Sequence, residues 1–167
     1  MNPRRILGVD PGLQRTGYGV LDHVGDRFTM VEAGVIRSTA KLRLEARVNE
    51  IFSGIREVID DLHPDCMILE QLFSHYERPQ TAILMGHARG AICLAAAQHA
   101  LEVLNIEPTR VKRIMTGNGR APKSQMQSAV RMQLKLPSDP EPPDVADALA
   151  IAIAGGHMIR QSVDGTF

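Results

Sequence analysis

The first 37 residues carry no helical period. Ile6–Asp10 is a short apolar run, Thr16–Val24 alternates around Tyr18 and Val20, and Phe28–Arg37 is a third β-compatible stretch. Gly25-Asp26, between the second and third, is a hairpin signal. The joining segments are too short for a parallel crossover, so three antiparallel strands must come first. The period then changes. Leu44, Val48, Ile51, Ile55, Val58, Ile59 and Leu62 recur at spacings of three and four, the apolar stripe of a helix, and His63-Pro64 stops it. Cys66–Gln71 is a fourth strand, apolar on both faces until Glu70. The segment 78–100 is a long helix of small residues with Pro79 in its first turn. "LEVLNIEP" is a fifth strand, and Lys123–Lys135 and Asp144 to about Arg160 are two more helices. Strand–helix–strand units close by right-handed crossovers. The expected fold is therefore α/β, with a mixed five-stranded sheet flanked by helices. We expect one domain over residues 1–160 and a loose tail over 161–167.

Composition excludes some classes of function. No apolar run approaches the length of about 18 residues that a membrane span needs. "MNPRRILG" is interrupted by Gly8 and Asp10, so no signal peptide is expected. Cys66 and Cys93 lie in apolar contexts without a metal-binding or redox spacing. They read as reduced, buried thiols of a cytoplasmic protein. Net charge is zero, but its distribution is uneven: Pro108–Ser138 holds seven Lys or Arg residues and no acid. Such a stretch is either the footprint of a nucleic-acid partner or a solvated face balanced elsewhere in the fold.

The acidic residues sharpen the choice. Asp10 ends the first strand and Glu70 the fourth, positions where a buried strand would otherwise take another apolar residue. An uncompensated carboxylate is costly there. Asp144 and Asp147 stand three apart at the start of the last helix and share a face. Asp144 alone would be explained as a capping or dipole-favoured residue; Asp147 is less easily explained so, because the helix turns apolar from Ala148. Four carboxylates meeting at one place repel one another unless cations join them. All-oxygen ligands favour Mg²⁺, with Mn²⁺ as the alternative. Two such ions can activate water and stabilise a leaving oxygen in phosphodiester cleavage. A rival reading takes "DPGLQRTG" as the phosphate loop of an actin-like nucleotide-binding protein, although such proteins close two domains around the nucleotide.

With these residues in view, the chain resembles the RuvC family of Holliday junction resolvases. The motifs "ILGVDPGLQRTGYGV", "ILEQLF", "GHARGAICLAAA", "RVKRIMTGNGRAPKSQMQSAVRMQL" and "DVADALAIAIA" follow the family's order and spacing. The resemblance implies a ribonuclease-H-like fold, a homodimer and Mg²⁺-dependent paired nicks placed symmetrically across a four-way DNA junction. It implies Asp10, Glu70, Asp144 and Asp147 as the catalytic, metal-binding acids, with histidine standing at the Asp144 position in some relatives. It further implies that Phe73 stacks on or wedges open bases at the crossover and that Lys112 and Lys123 lie near the scissile phosphate. Arg113 and Arg120 are expected as phosphate contacts by proximity, and Arg78 as a residue reaching the junction centre. Kinship also implies a branch-migration motor of the RuvA and RuvB type as partner. Two alternatives stay open at this stage: a non-catalytic junction-binding protein, which would bind without its carboxylates, and the single-domain actin-like nucleotide binder.

Overall fold

The structure is a computed structural model that describes residues 3–72 and 79–163. Among these residues five strands form one sheet: β1 (Arg4–Asp10), β2 (Arg15–Val24), β3 (Arg27–Arg37), β4 (Cys66–Glu70) and β5 (Glu102–Ile106). Their order is β3-β2-β1-β4-β5. β1, β2 and β3 are antiparallel neighbours, while β4 and β5 extend the sheet in parallel from β1. The turn between β2 and β3 is Gly25-Asp26, with Gly25 at φ +59, a left-handed conformation that glycine adopts without strain. The mixed sheet is thus the one that the connection lengths dictate.

Among the described residues five helices cover the sheet, one more than the sequence pattern suggests. They are α1 (Leu44–Leu62), α2 (Pro79–Gln98), α3 (Pro108–Thr116), α4 (Lys123–Leu134) and α5 (Pro143–Val163). One face of the sheet packs Leu7, Val9, Val20, Met67 and Leu69 against Ile51 and Ile55 of α1 and Ala88, Ile92 and Ala95 of α2. The other packs Ile6, Leu21 and Ile68 against α5, with α3 and α4 beside it. Cys66 to Leu69 are all fully buried, as a central strand covered on both faces requires. α1 ends at His63, which takes a left-handed conformation before Pro64. Its first stripe residue, Leu44, is exposed rather than packed. Cys66 is buried, but Cys93 is only half-buried, because its position on α2 turns partly away from the sheet.

α3 escapes the periodicity because it is short and buries one residue, Val111. Its signals are positional instead: Pro108 opens it and Gly117, at φ 78, closes it. α5 runs to Val163, three residues past the end expected from its pattern. It lies unusually close to the sheet. A Cβ on Gly8 would stand 2.4 Å from the Ala148 carbonyl oxygen, and one on Gly17 would stand 2.3 Å from that of Asp144. Only glycine admits backbone at that distance. The glycines of β1 and β2 therefore set how near the first turn of α5 comes to the end of β1.

Candidate active site

Three of the four predicted acids meet in one cleft. Asp10 is the last residue of β1 and Glu70 the last of β4. The two strands are parallel neighbours, with Val9 opposite Leu69, so the carboxylates leave the sheet side by side at its carboxyl edge. Asp147 comes down from α5 onto the same place. The cleft has a volume of about 190 Å³ and is lined by all three, by Lys112 and Lys123, and by an apolar wall of Val111, Met126 and Ala150.

The main chain under these residues is firmly held. Thr16 donates its hydroxyl to the Gly12 carbonyl at 2.8 Å and closes the loop that follows Asp10. The Ser38 amide donates to the Gln14 carbonyl at 3.2 Å, fastening the same loop to the end of β3. At β4, Arg89 of α2 donates to the Glu70 carbonyl at 3.4 Å and also binds the Asn105 side chain on β5. The Gln71 amide continues the ladder to the Ile106 carbonyl at 2.9 Å. Arg89 thus braces a metal-ligand candidate through its backbone; nothing in the local sequence distinguishes it from a surface arginine.

The electrostatics of the cleft are those of anions held against their preference. Burial pushes the Asp10 carboxyl up to about 7; Asp147 and Asp144 add to the shift and Lys123 opposes it. Glu70 rises to about 8, again chiefly through burial, then through Asp10 and Asp147, with Lys112 opposing. Burial also raises Asp147, against the pull of Lys123 and Lys112. Two lysines are thus too little positive charge for three clustered carboxylates, and a divalent cation would supply the remainder. The donor set fits hard cations: it is all oxygen, with no cysteine or histidine lining the cleft. Among the described residues, no three acidic, histidine or cysteine side chains already close a cage around an ion position. An open, one-sided set is how Mg²⁺ is ordinarily held, by a few carboxylates with waters and substrate phosphate completing its shell.

Asp144 stands apart. It sits in the first turn of α5, near enough to Asp10 to raise its pKa, yet it does not line the cleft. Its Oδ2 faces Nη1 of Arg15 at 3.7 Å. Arg15 opens β2 inside the motif that follows Asp10, where nothing in its spacing marks it as a partner of Asp144. Of the predicted basic residues, Lys112 is half-buried on α3 and Lys123 opens α4 exposed; both line the cleft. Arg113 and Arg120 are exposed and do not line it. Arg113 lies over Gly119, and the Arg120 amide donates to the Asn118 side chain at 2.9 Å. Phe73 and Arg78 lie outside the described residues. A larger groove of about 740 Å³ runs between the β2–β3 turn and the end of α4, and none of the four acids lines it.

Comparisons with known proteins point to one family. Residues 6–155 match the family described as "Crossover junction endodeoxyribonuclease RuvC". The chain is 58% identical to the crossover junction endodeoxyribonuclease RuvC of Rhodopirellula baltica over 159 residues, which covers 95% of this chain and 89% of that one. It is 42% identical to the protein of the same name from Desulforamulus reducens over 148 residues, 89% of this chain and 90% of the other. Among solved structures it is similar to Thermus thermophilus RuvC in complex with Holliday junction substrate. That match has a TM-score of 0.90 and 29% identity, over 95% of this chain and 96% of the other.

Proposed function

The chain belongs to the RuvC family of crossover junction endodeoxyribonucleases, and from that membership we propose how its own residues cut DNA. It is a Holliday junction resolvase, an endonuclease of recombination and repair. The observation that carries the mechanism is the convergence of Asp10, Glu70 and Asp147 with Lys112 and Lys123 on one cleft.

Asp10, Glu70 and Asp147 are the metal ligands in this reading, and Asp144 is the fourth acid, brought in from the rim. The ions are Mg²⁺, with Mn²⁺ able to substitute, two to a site. Bound there, such ions would supply a water of lowered pKa and charge to offset that on the leaving 3′ oxygen of a phosphodiester. The protein does the rest. Asp10 and Glu70, fixed on adjacent strands, hold their oxygens without loop motion. Lys112 and Lys123 draw the scissile phosphate into the cleft and stand where negative charge grows as the bond breaks. The apolar wall of Val111, Met126 and Ala150 limits water on one side and strengthens these interactions. Arg113 and Arg120 hold phosphates farther out. Phe73 and Arg78 act at the crossover, a reading that rests on the family resemblance alone.

Paired nicks on a two-fold junction call for a two-fold enzyme, and a homodimer is part of the proposal. Its support is a stripe on α2. Ile83 and Leu94 are 61% and 53% exposed, and between them Gly86 and Gly90 have open space above their Cα atoms. The spacings of three and four put all four on one side of the helix, where a second copy would bury them. Partnership with a branch-migration motor of the RuvA and RuvB type follows from kinship only. Among the described residues no helix is long and apolar enough to cross a membrane.

The test is cleavage of a synthetic four-way junction with each strand labelled in turn, in Mg²⁺ and in EDTA, beside a linear duplex and Asp10→Asn. Matched nicks on opposing strands that need both the metal and Asp10 support the mechanism. Cutting by Asp10→Asn at the wild-type rate removes Asp10 from it.

A further inference from the structure

Arg15 and Arg37 occupy directly opposite positions on β2 and β3, and both are exposed. Two like charges facing each other across an antiparallel ladder destabilise it unless an anion joins them. Arg15 lies two residues before Gly17, so the two share a face of the sheet, and that is the face on which Asp144 rests. Arg37, opposite Arg15, shares it too. The arginine pair therefore stands at the same end of the sheet as Asp10 and Glu70. Among the described residues the single carboxylate paired with either arginine is Asp144, at 3.7 Å from Arg15. That contact is long and open to water, with 49% of the Arg15 side chain and 28% of the Asp144 side chain exposed. A phosphate, which accepts two parallel N–H bonds from a guanidinium, displaces such a partner readily. The Asp144 main chain cannot follow, because its carbonyl is seated on Gly17. Only the carboxylate is free to turn.

We propose that Arg15 is a positioning residue that holds Asp144 outside the cleft until a DNA phosphate, bridging Arg15 and Arg37, takes over the guanidinium and frees Asp144 for the metal. The inference rests on the resolvase reading and adds to it a substrate-dependent completion of the ligand set. It requires reciprocity: if junction DNA improves metal binding through Asp144, the metal improves junction binding by the same factor.

The experiment measures Mn²⁺ binding to the free protein by calorimetry, and junction binding in EDTA over a salt series, for wild type, Arg15→Gln, Arg15→Lys, Arg37→Gln and Arg15→Gln/Asp144→Asn. Arg15→Gln is expected to tighten Mn²⁺ binding about fivefold, at the low end of site-to-site couplings. The gain should vanish in the double variant, and Arg37→Gln should not produce it. Both glutamine variants are expected to lower the salt slope of junction binding by about 0.9, one phosphate contact. Arg15→Lys should keep the wild-type slope. Unchanged Mn²⁺ affinity in Arg15→Gln overturns the holding role. An unchanged salt slope overturns the phosphate role, and loss of slope in Arg15→Lys shows damage to β2 instead. Wild type assayed in Mg²⁺ in the same series separates the two levels: if it does not cut the junction, the fault lies with the resolvase mechanism.

Discussion

Replacing Asp10 by asparagine should make the metal-free protein more stable at pH 8 while destroying its activity. The Asp10 carboxyl is raised from 3.8 to about 7, first by burial and then by Asp147 and Asp144. Because the folded pKa lies above the unfolded one, the folded state binds the extra proton between about pH 4 and 7. Stability therefore falls as pH rises through that window. About three pKa units at about 1.4 kcal/mol each set a ceiling of ~4 kcal/mol. Part of that repulsion is shared with its acidic neighbours, so about 2–4 kcal/mol is expected. In a chain of this size each kcal/mol moves the midpoint by about 2–4 °C, giving a gain of about 5–15 °C for Asp10→Asn at pH 8. Glu70, raised to about 8, leaves a smaller slope in the variant. Thermal melts in EDTA across pH 4–8 measure this directly: the two curves should converge near pH 4 and part as pH rises. Added Mg²⁺ at pH 8 should restore wild type more than the variant. Wild type as stable as Asp10→Asn at pH 8 without metal would refute the argument that the carboxylate is held there against its solvation.

Gly17→Ala should force α5 away from β2, since the new Cβ would stand 2.3 Å from the Asp144 carbonyl oxygen. We expect a loss of about 1–3 kcal/mol in urea unfolding and about 100-fold in single-turnover cutting, with junction binding in EDTA changed far less. Lys112→Ala should slow the cutting step about 100-fold or more under saturating enzyme, with only a modest loss of binding, if it stabilises charge at the reacting phosphate. Arg5→Ala tests a site remote from the chemistry. It removes a two-pronged pair with Asp22, at 2.8 and 3.0 Å, and a bond to the Leu62 carbonyl at 2.8 Å. Melting should show a cost of about 1 kcal/mol with junction cutting unchanged. The Arg5 hydrogen bond holds the Asp22 carboxyl below its ordinary 3.8. The contribution is therefore present above about pH 4 and lost as pH falls through the lowered folded value.

The topology was legible because strand and connection lengths leave few choices. Three strands with short joints must be antiparallel, and β4 and β5 must be parallel once helices separate them. Asp10 and Glu70 were legible for a related reason: each interrupts a run whose every other residue is buried, and adjacent parallel strands bring their last residues together. The exchange between Asp144 and Arg15 was not. Spacing puts Asp144 and Asp147 on one helix face, but which of them reaches the cleft depends on how α5 is rolled over Gly8 and Gly17. Those glycine positions imply a close neighbour without saying that it is the chain's own last helix. In the same way, a basic stretch gives no rule for separating Lys112 from Arg113. That takes the phase of α3, a helix whose short apolar signature is a single buried valine.

The site draws its first acid from residue 10 and its last from residue 147 of a 167-residue chain. During synthesis the ribosome delivers β1, with Asp10, long before it delivers α5. Until that helix settles on the glycines of β1 and β2, Asp10 and Glu70 have no Asp147 beside them, and the strand edge has no closed cleft. On the proposed mechanism, a chain that ends before α5 would carry Asp10 and Glu70 without the third acid of the cleft and would not cut DNA.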